Sequence, residues 1–551
     1  MQHGGRGFRD DNKRHKKGDM GRGEYFASQP DKRKRNEDAN AKRERAGNVA
    51  GQGIQYSKEE IEAEERRPKR KVAVLIGYSG TGYKGMQISG TERTIEGDLF
   101  QAFIRAGAIS KANAEDPKKS SLVRCARTDK GVHAAGNMIS LKLIVEDENI
   151  VEKINAELSP QIRVWGIERT IGSFSCYQAC DSRWYEYLIP SHAFLPPHPS
   201  SWLAKQLEQL ADEANDRSSY EGRQKDIENF WEGIEASEIK PILQSIDEDI
   251  RWEVVKALQG EEEASAKAEK NDEEPGAKLA KTEVNATKVN QPDADQPAEH
   301  HSLSDAEMER VLRLRAATKR LRNAYVDAKR RYRIPSSRID RIQAALDKYV
   351  GTKNYHNYTI QKTFKDPSSM RHIKSFVVNK KPILIGEGPD ESKSEWLSLK
   401  VHGQSFMMHQ IRKMVGMITL MVRSGADLKT MDESFTETRF SIPKVPGLGL
   451  LLERPVFDSY NNLQAAKHGR EALRFDKYEE KLEAFKESEI YQRIFREEEE
   501  RNEFGRFFNH IDNFKEPWFL YVSSMGLKAM KGYERSPIAE VDGSDGEQDD
   551  N

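Results

Sequence analysis

Residues 124–136 read RCARTDKGVHAAG, with one carboxylate, Asp129, set between Arg127 and Lys130 and followed by Gly131. LVRCART (122–128) leads into this stretch and VHAAGNMISLKLIV (132–145) leads out of it. Both carry the β-branched and apolar residues of strands. The reading is two strands joined by a tight connection over 128–131, because Asp and Gly supply turn chemistry there. Turns of this kind usually do no more than reverse the chain. Here the flanking cations favour the ionised carboxylate, and apolar strands on both sides can brace it rigidly.

Working outward, VAVLIGY (72–78) reads as a buried strand and TIEGDLFQAFIRAG (94–107) as an amphipathic helix with Thr94 as its N-cap. ENIVEKINAEL (148–158) follows as helix, IRVWGIERT (162–170) as strand. In SRWYEYLIPS (182–191) the alternation puts Arg183, Tyr185, Tyr187 and Ile189 on one face of a strand. A second ordered stretch holds the strands HIKSFVV (372–378), EWLSLKVHG (395–403) and PGLGLLLERPVF (446–457). It also holds a strongly apolar helix, SFMMHQIRKMVGMITLMVRSG (405–425), which should open at Ser405 and close at Gly425. Strands and helices mixed in this way define an α+β chain.

Composition divides the 551 residues further. Hydrophobic residues make up 36% and charged residues 32%, too polar for one continuous globule. We expect a disordered basic tail over 1–68, an N-terminal half carrying Asp129 over 69–200, and a helical insertion over 201–259. A disordered acidic and polar loop follows at 260–307. A basic helix and the C-terminal half span 308–460, a helical extension spans 461–535, and an acidic tail ends the chain at 536–551. The basic clusters at 13–17, 32–35 and 66–71 suit nuclear import. The helix starting near Met308 (MERVLRLRAATKRLRNAYVDAKRRYR) packs Val311, Leu314, Leu321, Tyr325 and Ala328 inward. Its arginines meet few acids within the helix, which suits a surface that follows phosphates. Three cysteines make no disulfide framework, pointing to a reducing compartment. No apolar run reaches the ~18 residues of a membrane span. The net charge of −1 hides these local asymmetries.

These motifs, in this order, resemble the TruA family of tRNA pseudouridine synthases. RTDKGVHAAG resembles its active-site motif, and YSGTGYKGMQ (78–87) with TIEGDLFQA its opening strand, loop and helix. CDSRWYEYLIP (180–190) resembles its tyrosine-bearing strand, FMMHQIRKMVG (406–416) its arginine-bearing helix and PGLGLLLERPVF its closing strand. The basic N-terminus, the long insertion, YVGTKNYHNYT (349–359) and the C-terminal extension resemble the eukaryotic Pus1 branch.

The resemblance implies an α+β fold of two related halves whose sheets meet in one extended antiparallel sheet flanked by helices, with a basic cleft. It implies Asp129 as the catalytic carboxylate, acting as nucleophile at ribose C1′ or uracil C6, or as a base on the ribose 2′ proton. Tyr185 would stack on the uracil and assist at C5. Arg412 would pair with the carboxylate, and Arg127 would replace the flipped base in the stack. Lys130 and Arg183 would contact substrate. His133 reads as structural. The glycines of YSGTGYKG allow a close turn rather than a phosphate loop, as no Gly-Lys-Ser/Thr follows. Phe174-Ser175-Cys176-Tyr177 departs from the arginine common at this point in relatives, and Met86 replaces a common Trp. Substrate and product are isomers, so no redox or group-transfer cofactor is required; zinc is carried over only as a structural extra, with Cys176 and Cys180 at suitable spacing. Partners implied are tRNA around the anticodon stem, with U2 snRNA and mRNA as further targets, and a monomer is expected. An idle RNA chaperone and a metal-dependent nuclease or deaminase are competing readings. The intact Asp129, Tyr185 and Arg412 set argues against the first and the lack of ligand clusters against the second.

Overall fold

The computed structural model describes residues 53–89, 92–268, 305–439 and 441–530. Ten strands form one sheet: β1 (Arg70–Tyr78), β2 (Val123–Arg124), β3 (His133–Leu143), β4 (Ile162–Arg169), β5 (Ser182–Pro190), β6 (Gly351–Asn354), β7 (Met370–Val378), β8 (Ile383–Ile385), β9 (Ser394–Gly403) and β10 (Leu450–Val456). The order across the sheet is β4-β1-β3-β10-β5-β9-β7-β6, with β2 on β3 and β8 on β9. Each pairing is antiparallel except β10 with β3, where Leu451 and Leu452 lie parallel to His133 and Ala134. That seam joins the two halves, and β10, supplied from far down the chain, closes it.

Helices cover the sheet where its strands are apolar. Helix α1 (Ile95–Arg105) is capped by Thr94, whose hydroxyl accepts from Gly97 N, and it buries Leu99, Phe100 and Phe103 against β1, β3 and β4. In the C-terminal half, α4 (Ser336–Asp347) and α5 (Gln410–Arg423) pack on the face that presents Tyr185 and Tyr187. Between them, Tyr349, Tyr355 and Tyr358 of the 349–359 segment form a buried aromatic cluster with Phe435. The insertion ends in a hairpin of α2 (Glu248–Ala268) and α3 (Asp305–Arg330), with a small core of its own. Ile246, Ile250 and Val254 meet Leu321 and Ala328 there, with Leu314 and Tyr325 packed alongside.

The helical extension beyond β10 includes α6 (Gln492–Arg501) and α7 (Glu503–Asp512): Phe495 of α6 packs on Trp396 of β9, whereas α7 sets Phe504 against Tyr187 and pairs Asp512 with Arg423 of α5. Lys486 is buried there against Glu453 (3.0 Å) and Glu186 (3.6 Å), while Tyr491 donates to Glu186 at 2.7 Å. Two buried carboxylates around one ammonium fix where the extension sits, because moving it would strand charges in the core.

Several local expectations change. Residues 125–132 form a wide loop and not a tight hairpin: β2 is two residues long and pairs Val123 with Ser140 and Arg124 with Ile139, well inside β3. Helix α5 starts at Gln410, not Ser405; His409 takes the left-handed conformation (φ 59°) as the residue before it. The arginines of α3 and just past its end meet acids from other elements: Arg310 pairs with Glu253, Arg313 with Asp247 and Arg331 with Glu238. These three pairs leave the arginines 41–47% exposed, at one side of the expected phosphate surface. The 66–71 cluster is partly absorbed too, as Arg70 and Lys71 are in β1 and Arg70 pairs with Glu146. The clusters at 13–17 and 32–35, residues 269–304 of the polar loop and the acidic tail at 536–551 lie outside the described residues. No described helix is long and apolar enough to cross a membrane.

Candidate active site

The site forms at the β3/β10 seam. Leu452 faces Ala134 on one side and Tyr185 on the other, so the tyrosine lies two strands, about 10 Å, from the point where the 125–132 loop enters β3. The loop is pinned from several directions. Thr128 is buried and its hydroxyl pairs with the Tyr78 hydroxyl at 2.8 Å. Asn137 Nδ2 donates to both Tyr78 Oη (3.1 Å) and Ala126 O (3.0 Å). Met86 N donates to Thr128 O, Gly131 N to Tyr83 O and Val132 N to Asp129 O. Arg183 Nη2 donates to Cys125 O at 2.9 Å, bracing the root of the loop.

The glycine-rich 78–87 stretch is the cradle for this loop. Gly85 has φ +102°, and a Cβ there would sit 2.9 Å from Thr128 O; at Gly80 a Cβ would sit 2.3 Å from Val132 O. Only glycine permits both approaches. His133 completes the brace: it is fully buried, with Nδ1 3.2 Å from Ser79 Oγ and accepting from Gly80 N at 3.2 Å. Burial depresses its pKa to about 3, so it remains neutral.

Asp129 emerges from this frame 34% exposed, while Arg127 and Lys130 on either side are exposed. The ring of Tyr185 is half-buried and meets Phe406 edge-on at 5.2 Å. Desolvation holds its phenol well above the ordinary tyrosine range; Arg183 opposes the shift and Asp129 adds to it. The hydroxyl thus stays protonated. Arg412 comes from the first turn of α5. Its Nε donates to Val445 O at 2.7 Å and its guanidinium packs about Gly447, just before β10. The ion pair with Asp129 that the resemblance implied is not present among the described residues.

What stands beside the carboxylate is His409, missed in the sequence. Its Nδ1 is 3.8 Å from Asp129 Oδ2 and its side chain is 8% exposed. The preceding turn is held by Met407 N donating to Gln410 Oε1 and by Thr359 Oγ1 donating to Met408 O at 3.0 Å. Lys413 Nζ ties the same Thr359 by its carbonyl. The buried tyrosines of 349–359 thereby fix the approach of His409 to the loop. A histidine one residue ahead of an apolar helix was the one available signal.

The donors available do not suit the zinc carried over by resemblance. Cys176 Sγ is engaged with Val123 O and Met138 O, and among the described residues no group of three or more His, Cys, Asp or Glu is arranged to hold a metal.

The arrangement is a rigidly held, partly exposed carboxylate beside an imidazole and between exposed cations, with a protonated phenol two strands away, suited to covalent or acid–base chemistry on an extruded nucleotide. Comparison with known proteins agrees with this. Residues 345–458 match the family model described as tRNA pseudouridine synthase. The chain is 44% identical to tRNA pseudouridine synthase 1 of Yarrowia lipolytica, over 82% of this chain and 76% of that one. It is 40% identical to the protein of the same name from Schizosaccharomyces pombe, over 88% and 91%. Against the tRNA pseudouridine(27/28) synthase of Saccharomyces cerevisiae it is 32% identical, over 81% of this chain and the whole of the other. With the mixed α/β sheet and the ordered motifs, this identity establishes that the chain is a pseudouridine synthase and belongs to the TruA family.

Proposed function

We propose that Asp129 is the catalytic carboxylate of this tRNA pseudouridine synthase. The observation that carries this reading is the loop itself: Thr128, Gly131 and Val132 around Asp129 are anchored by hydrogen bonds while its carboxylate stays a third exposed. The reaction breaks the C1′–N1 bond of uridine, turns the uracil and joins C1′ to C5, after which C5 loses its proton and N1 gains one. Asp129 acts as nucleophile or as base on the sugar. Tyr185, held neutral, stacks on the uracil and offers a hydrogen bond, not a phenolate. Arg127 and Lys130 meet the displaced stack and the phosphates, since flipping a base costs a few kcal/mol. Arg412 positions the entry to β10, and with it Tyr185, through Val445 and Gly447; Arg183 positions the loop through Cys125 O.

Uridines of the anticodon stem are the proposed substrates, a reading supported by the relative named for positions 27 and 28. U2 snRNA and mRNA are further proposed substrates, nuclear residence is proposed from the basic clusters, and a monomer from the extension that covers one face of the sheet. The test is Asp129→Asn on full-length protein with tritium release from 5-³H-uridine tRNA. Loss of turnover by more than about 10³-fold with tRNA binding and melting unchanged is expected. An active variant overturns the assignment.

A further inference from the structure

The glycine-rich stretch that cradles the Asp129 loop is itself held from a distant part of the chain. Thr81 sits between Gly80 and Gly82, and Gly82 takes φ +82°. Flanking glycines leave the backbone little restraint of its own, so the turn depends on bonds made to Thr81. Its hydroxyl has a partner 416 residues later: Thr81 Oγ1 donates to Glu497 Oε1 at 2.8 Å. From the other side, Gln161 Nε2, just ahead of β4, donates to Thr81 O at 3.0 Å. The turn then passes directly to the catalytic loop. Tyr83 N donates to Gly80 O at 3.0 Å, and Tyr83 O accepts from Gly131 N at 3.3 Å.

From this placement we infer that Glu497 is a positioning residue for the reaction. Through the Thr81 hydroxyl, helix α6 clasps the glycine-rich turn and with it the loop carrying Asp129, which makes the C-terminal extension a part of the active site. The clasp is anchored at its far end. Ile494 of α6 is fully buried, Phe495 meets Trp396 with ring centres 4.9 Å apart, and Glu498 Oε2 accepts from Phe504 N at 3.1 Å. Glu497 thus projects from a fixed helix, its other oxygen 3.8 Å from Arg501 Nη1 and its side chain 18% exposed. A hydroxyl donating to a carboxylate is stronger than a neutral pair, which suits a single bond that must hold a turn. Thr81 and Glu497 are both only partly buried, so the bond adds little to the core and acts on the placement of the turn.

This rests on the loop carrying the catalytic carboxylate, so turnover and the state of the turn are read separately, both on full-length protein. Thr81→Val removes the hydroxyl at nearly constant shape, and Glu497→Ala removes its acceptor. Each should lower kcat about tenfold, the loss for a drift of about half an ångström, with KM for tRNA and melting temperature held. The double variant should lose no more than either single one, because both break the same bond. Thr81→Ser keeps the donor and should restore kcat to within about twofold of the parent. Hydrogen–deuterium exchange of the 78–87 and 125–132 peptides should rise in Thr81→Val and Glu497→Ala and stay at the parental level in Thr81→Ser. Additive losses in the double variant, a loss confined to KM or melting, or unchanged exchange in both peptides overturns the inference. An active Asp129→Asn variant would sink the catalytic assignment, while exchange would still decide whether α6 holds the turn.

Discussion

Replacing Gly85 by alanine separates the role of the cradle from ordinary backbone strain. At φ +102° an alanine costs about 1–2 kcal/mol, which lowers stability but does not by itself move Asp129. The new Cβ also falls 2.9 Å from Thr128 O and 3.5 Å from Asp129 C. Restoring the 3.4 Å at which ordinary contact begins takes 3.4 − 2.9 = 0.5 Å of retreat by the loop. If 1 Å of misplacement is worth about 10²-fold in rate, half of it is worth about tenfold, or about 1.4 kcal/mol of barrier. Gly82 is the control, in the same turn with φ +82° but with nothing within 4 Å of its Cβ. Both variants should lose similar melting temperature, and Gly85→Ala alone should lose about tenfold in kcat, measured by tritium release under saturating tRNA. Equal kcat for the two variants would refute the idea that the glycine-rich turn positions Asp129.

Lys486→Met leaves Glu186 buried without its cation and Glu453 with only the exposed Lys400 at 3.6 Å, and should destabilise the protein by about 3–5 kcal/mol, read by urea denaturation; a change below 1 kcal/mol refutes the charge-anchored extension. His133 is fully buried and His192 mostly so, and desolvation sets both pKa values near 3, below the ~6.5 of the unfolded chain. Their contribution is fully present above pH 6.5 and is lost as pH falls toward 3. Between pH 7.5 and 5 each should cost about 2 kcal/mol, and His192→Gln should flatten that slope in urea melts across pH. His409→Asn tolerates the left-handed backbone but removes the imidazole beside Asp129. Losing that neighbour 3.8 Å from the carboxylate should lower kcat about fivefold, or about 1 kcal/mol of barrier, measured by tritium release; an unchanged kcat refutes a role for His409.

What the sequence disclosed was local. Thr94 caps α1 because its hydroxyl reaches Gly97 three residues on, and strand alternation in 182–190 marks the face of Tyr185 because side-chain direction has a period of two. The start of α5 was hidden: Phe406 is drawn to Tyr185 and Met407 to Gln410, which leaves His409 to make the turn. Nothing in residues 405–409 announces the distant contact with Tyr185. The acid partners of Arg310, Arg313 and Arg331 were hidden for a similar reason, lying on elements 57 to 93 residues earlier. Nor did spacing show that Arg183 would reach the carbonyl of Cys125 and brace the loop.

The central place of β10 bears on how the molecule is made. A ribosome releases β3 and β5 long before residues 450–456, so during synthesis these two strands wait as unpaired edges, open to association with other chains. Any message truncated ahead of that point yields a polypeptide with an intact Asp129 loop but no seam to bring Tyr185 alongside it. Such fragments should be inert toward RNA and prone to aggregate, so that catalytic competence arrives only near the end of translation.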